Sequence, residues 1–191
     1  MKIEPNPFKM KTLKKIGIAL LVLVLLLIAG SFFLSSKSHV ERSIVIKASD
    51  SLVFDKINNL KNFITWMPWA KKDPAIQMDF FGAEKGLGQG YTWRSDKSEV
   101  GNGKMTIVQS TPNTMVVMEM EFEGMGKSGA TFTLNKEAEG TKITWALDSN
   151  GEGMPAMLTV PHKYMSLFMD KMVGPDFELG LNNLKAACEA N

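Results

Sequence analysis

From residue 16 to residue 34 the chain runs IGIALLVLVLLLIAGSFFL, nineteen positions without a charge. Such a run predicts a helix of roughly 28 Å, about the thickness of a bilayer's hydrocarbon core. Beyond it the pattern changes period. Residues 41–47 alternate and are rich in β-branched side chains, which predicts a first strand. Ser49-Asp50-Ser51 then supplies helix-capping side chains, and Phe54, Ile57, Leu60 and Ile64 recur at helical spacing. Trp66-Met67-Pro68-Trp69 interrupts this helix, because Pro68 lacks a donor and restricts the residue before it.

Between residues 76 and 148 the period is two. Six strands are predicted, at 76–81, 90–95, 104–110, 115–123, 128–135 and 142–148, separated by glycine- and proline-bearing turns. The clearest alternation sets Val116, Met118, Met120 and Phe122 against Val117, Glu119, Glu121 and Glu123. One face is apolar and the other wetted, as in an antiparallel sheet lying over a core. Helical spacing returns in Met165, Met169 and Met172 and continues through Phe177, Leu181, Leu184 and Cys188, with a bend or break expected at Gly174-Pro175.

Charge assigns a side to the apolar run. Lys2, Lys9, Lys11, Lys14 and Lys15 precede it against the single acid Glu4. The positive-inside bias therefore predicts a cytoplasmic tail (1–15), a transmembrane anchor (16–34), a polar tether (35–40) and a globular domain (41–191) on the outer, periplasmic side of the inner membrane. The alternative is a cleaved signal peptide, against which the length of the run and its weak small-residue spacing at Ala29-Gly30-Ser31 both count. Six lysines and one acid fall in residues 1–40, so the remainder of this +2 chain carries −3. A mildly acidic domain with only Arg42 and Arg94 as arginines makes nucleic acid a poor partner. Cys188 is the only cysteine, and the two histidines, His39 and His162, are far apart, so neither a disulfide nor a metal centre is expected, and no cofactor. Fourteen methionines are the unusual count. Methionine adapts its shape and recurs at apolar binding surfaces.

The element order, taken with Trp66-Met67-Pro68-Trp69 followed by Asp73-Pro74, Gly88-Gln89-Gly90-Tyr91-Thr92-Trp93, Gly140-Thr141-Lys142-Ile143-Thr144-Trp145 and the final Asp176-Phe177-Glu178-Leu179-Gly180-Leu181, resembles the START-like (SRPBCC) superfamily of polyketide cyclase-like and lipid-transfer-like domains. The resemblance covers residues 41–190. It implies an α+β helix-grip fold, in which a curved antiparallel sheet of about seven strands wraps a long C-terminal helix and leaves an apolar cavity. Fold alone does not transmit a function.

The side chains expected to line that cavity are Trp66, Trp69, Trp93, Met118, Met120, Phe122, Phe132, Trp145, Met165, Phe168, Met169 and Met172, with Met157 beside them. They predict a binding module for a lipid or another hydrophobic small molecule, tethered to the membrane by residues 16–34. The alternative is a cyclase or dehydratase using the same cavity, with His162, Tyr164 and Arg94 acting on a carbonyl and Asp79 or Glu119 accepting a proton. The alternation of the strand puts Glu119 on the wetted face, and no nucleophile–histidine–acid set can be assembled. The glycine-rich 86–90 segment leads into a strand rather than a helix, so it predicts a hairpin loop at the cavity mouth and not a phosphate cradle.

Overall fold

A computed structural model describes residues 7–190; Lys2 and Glu4 of the lysine-rich tail lie outside the described residues. The chain divides into two units, one ending at Ser35 and one beginning at Ser36. The first is the helix α1 (Pro7–Ser31), 25 residues rising about 37 Å. Lys11–Ser31 has the length and composition of a membrane span, properties that a signal sequence shares. The helix ends before the apolar run does. Ser31 turns its hydroxyl back onto the Ile28 carbonyl at 2.7 Å, and Phe32, Phe33 and Leu34 donate only three residues back, which tightens the last turn.

The second unit is a seven-stranded antiparallel sheet with helices on one face. In chain order it contains β1 (Ser38–Ile46), α2 (Asp50–Asn58), α3 (Leu60–Trp66) and α4 (Pro68–Lys72), then β2 (Gln77–Gly82), β3 (Gln89–Arg94), β4 (Gly103–Thr111), β5 (Met115–Phe122), β6 (Gly126–Glu137) and β7 (Gly140–Ser149). A single 3₁₀ turn (Ala156–Leu158), α5 (Thr159–Ser166) and α6 (Met169–Glu189) follow. The strand order is β1-β7-β6-β5-β4-β3-β2, so β2 to β7 form a meander and β1 closes onto the last strand. This is the helix-grip arrangement. The predicted alternation holds on β5, where Val116 and Met118 are fully buried and Glu119 and Glu121 exposed.

Two boundaries differ from the sequence reading, each for a physical reason. The first helix is already split at Asn59, whose backbone is extended (φ −120°, ψ 108°) and whose side chain caps α3 by accepting from Lys61 N. The buried Gln89 amide fixes this break, its Oε1 accepting from Leu60 N at 2.8 Å while its Nε2 donates to the Glu84 carbonyl. The C-terminal helix breaks at Leu167–Phe168, not at Gly174-Pro175. Pro175 sits inside α6, and both it and Lys171 are exposed, so the carbonyl deprived of its donor faces water. Gly174 has a different task. A Cβ there would run into the Arg42 guanidinium, which lies against α6 and binds Asp170 and Glu178 at 2.7 and 2.8 Å. Arg42 thus fastens α6 to β1, while Lys72 ties α4 to α6 through Asp176 at 2.7 Å.

Candidate functional site

The inner face of the sheet can be read row by row from the strand register. One row joins Arg42, Trp145, Phe132 and Val116; the next joins Val40, Leu147, Ala130, Met118 and Ile107. The third joins Ser38, Ser149, Ser128, Met120, Met105, Tyr91 and Phe80, and the last joins Gly126, Phe122, Gly103, Trp93 and Met78. These rows differ in how they are filled.

Over the first row the space beneath α6 is packed solid with rings. Phe177 of α6 stacks on Trp145 with centroids 3.8 Å apart and planes within 10°, and Trp145 stacks on Phe132 at 5.1 Å. Trp66 and Trp69 stand perpendicular to Trp145 at 5.9 and 6.0 Å. Gly180 admits this packing, since a Cβ there would press on the Trp145 ring. The Trp145 indole N–H is buried without a hydrogen-bond partner among the described residues. Its surround is aromatic, with Trp66, Trp69, Phe132 and Phe177 against the ring. A second aromatic group, Phe80, Tyr91, Trp93 and Phe122, runs along the last rows with neighbouring centroids 5.4–5.9 Å apart. Burial pushes the Tyr91 phenol well above its usual range, so it stays protonated.

Between the two aromatic groups the inner face carries smaller or more adaptable side chains. Ser38, Ser149 and Ser128 lie side by side on three neighbouring strands, next to Ala130 and beside Met120 and Leu147. Met120, Phe122, Leu147, Met169 and Val173 are half-buried and pack against the core without being sealed by it. This is the less sealed part of the inner face.

The side chains expected to line the cavity therefore occupy three environments. Trp66, Trp93, Met118, Phe132 and Trp145 are buried in the packed core. Trp69, Met120, Phe122 and Met169 are half-buried at its edge. Met165, Phe168 and Met172 are exposed on α5 and the start of α6, as is Met157 on the 3₁₀ turn. Met78, Met105, Leu147 and the serine row share these inward rows and were not among the side chains expected there. Strand phase was the signal available for all of them.

Two concavities among the described residues border these rows, the first touching Ser38, Ser128 and Ser149 and the second Trp93 and Phe122. One, of about 640 Å³, is an open depression over the outer-face row His39, Asp148, Gly129 and Glu119. The other, of about 500 Å³, lies around Arg94, Lys104, Glu121 and Glu123. In the first, His39 Nδ1 meets Asp148 at 2.8 Å. That hydrogen bond raises the imidazole's pKa above its ordinary value, against a smaller desolvation effect.

The candidate catalytic groups are spread over the fold. Arg94, Asp79 and Glu119 are exposed on β3, β2 and β5, each next in sequence to an inward-facing residue. His162 and Tyr164 lie on α5, where His162 Nε2 donates to the Ser36 carbonyl at 3.0 Å. The glycine-rich loop is fastened to α2, α3 and β4. Gly86 N donates to Asn58 O, Gly88 N donates to Ile107 O, and Gln89 grips the start of α3.

Among the described residues, no group of three or more histidines, cysteines or acids could hold a metal ion. A search of curated proteins gives no match. Among solved structures, the chain is similar to an uncharacterised protein from Rhizobium leguminosarum (15% identity, covering 81% of this chain and 96% of that one, TM-score 0.57). It is likewise similar to a protein of unknown function from Staphylococcus aureus (13%, 81% and 94%, 0.59). A third is the di-domain ARO/CYC StfQ of the steffimycin biosynthetic pathway, at 10% identity and TM-score 0.58, of which this chain spans about half (81% and 52%). At such identities the likeness is one of fold. The sequence profile of the family described as polyketide cyclase / dehydrase and lipid transport matches residues 37–189, and the chain belongs to that family.

Proposed function

We propose that this chain is a membrane-anchored binding protein for a lipid or another apolar small molecule, held against the less sealed part of the sheet's inner face. The observation that carries this reading is the half-buried apolar rim of Met120, Phe122, Leu147, Met169 and Val173 beside the serine row Ser38, Ser149 and Ser128. Small side chains on three adjacent strands make room, the rim supplies apolar contact, and the serine hydroxyls can take a polar headgroup. The packed stack around Phe177 leaves no space for a guest deeper under α6, so the ligand enters only as far as the second row. Family membership supports a hydrophobic ligand-binding fold. The apolar helix α1, behind a lysine-rich start, supports retention at the inner membrane with the domain on the outer side.

Affinity comes from apolar area removed from water, about 25 cal/mol per Å² before ordering costs. The test is fluorescence quenching of the chain's tryptophans by a brominated fatty acid, in wild type and in Ser128→Phe, which fills the room at the serine row. Saturable quenching lost in the variant supports the reading. Equal quenching in both proteins overturns the placement.

A further inference from the structure

The segment from Met154 to Val173 differs from the rest of the globular unit. It holds one acid, Asp170, which is already bound to Arg42, and two lysines, Lys163 and Lys171. Its apolar residues do not all turn inward. Met172 and Leu179 share one face of α6, with Phe168 capping that helix, Met165 on α5 and Leu158 closing the 3₁₀ turn. All five are exposed, Phe168 and Met172 by 57% and 56%. Leu167 and Met157 widen the patch. Scattered exposed leucines are ordinary on a monomer, but this many large apolar side chains exposed on two successive helices mark an interaction surface.

The chain itself indicates what covers it. His162, on the same helix as Met165, donates to the Ser36 carbonyl. Ser36 is only five steps along the chain from Ser31, the last residue of the span-length helix, a reach of at most about 17 Å. Chain length alone therefore keeps the Ser36 end of the globular unit near any bilayer that α1 spans. Exposed methionine, leucine and phenylalanine with lysines alongside is the composition of a helix lying in a lipid interface, with lysine stems reaching anionic headgroups.

We infer that the exposed apolar patch on α5 and the start of α6 docks on the surface of the bilayer that α1 spans. Docking there brings Met169 and Val173, at the half-buried rim, next to the lipid phase. The inference rests on α1 being a retained anchor, as proposed above.

The experiment uses the full chain in liposomes of phosphatidylethanolamine and phosphatidylglycerol. Single cysteines at Phe168→Cys and at Met172→Cys, with Lys136→Cys on the β6–β7 turn as control and Cys188→Ala throughout, carry an NBD fluorophore. Circular dichroism confirms that each variant is folded. Expected are a blue-shifted emission at 168 and 172 and its quenching by doxyl-labelled lipids, with neither at 136. Emission at 168 and 172 matching the control, while the protein resists alkaline carbonate extraction, overturns the docking and leaves the anchor standing. A blue shift that doxyl lipids do not quench also overturns it, assigning the patch to contact between protein copies. Release of the chain by carbonate overturns the anchor reading and this inference together.

Discussion

Phe177→Ala removes the ring on which the closure of the cup's deep half depends. Phe177 is buried, stacked face to face on Trp145 at 3.8 Å and perpendicular to Trp69 at 6.3 Å. Truncating a buried phenylalanine costs about 3–5 kcal/mol in lost transfer energy and residual cavity. The stacking geometry adds roughly 0.5–1.5 kcal/mol beyond area alone. Trp66, Phe132 and Trp145 brace one another on the far side and cannot collapse fully into the gap, so a loss of about 4 kcal/mol is expected. For a chain of this size that corresponds to a fall in Tm of roughly 12 °C. Urea unfolding of the full chain in detergent, followed by near-ultraviolet circular dichroism, gives the free energy. Phe168→Ala, a ring of equal size on an exposed position, is the control and should stay within about 0.5 kcal/mol of wild type. A loss below about 1.5 kcal/mol for Phe177→Ala would refute the packed stack and reopen the deep half to a ligand.

Three further outcomes follow from particular contacts. Gly174→Ala should gain up to about 1 kcal/mol of helix propensity, yet its methyl displaces Arg42 from Asp170 and Glu178. The substitution therefore destabilises wild type and stabilises the Arg42→Ala background, a sign reversal read by urea denaturation. His39 is raised by its hydrogen bond to Asp148, so this pair's contribution to stability is complete below pH about 6.5 and is lost as pH rises through the folded value. An NMR titration of the imidazole should show the elevation, and Asp148→Asn should remove it. Gln89→Leu leaves the buried Leu60 N without a partner, and should cost about 1–3 kcal/mol by thermal denaturation.

Much of this architecture was readable from the chain because its signals are local. Alternation over β5 and the runs ending in Trp145 and Leu134 specify an antiparallel sheet, and strand phase says which side chains face inward. The split at Asn59 was not readable, because it is set by a glutamine on β3, 29 positions beyond Leu60. The survival of α6 through Pro175 depends on which side of that helix faces water, and this follows from how Arg42 seats against Gly174. The site was harder still. Trp66, Trp145 and Met169 look alike as inward apolar residues, and only the stack with Phe177 separates filled core from half-buried rim. Periodicity finds faces but not occupancy. The exposed Met165, Phe168 and Met172 show the same limit, since helical spacing fits a buried and an exposed stripe equally well.

The central claim is that this family member holds an apolar guest against the part of the sheet's inner face floored by Ser38, Ser149 and Ser128. Its most direct test is mass-spectrometric identification of small molecules carried by the full chain extracted from membranes into lipid nanodiscs, compared with folded Ser128→Phe. The account predicts a defined apolar species in fixed ratio to wild-type chain and its absence from the variant. The same bulk membrane lipids on both proteins, with no species specific to wild type, would contradict it.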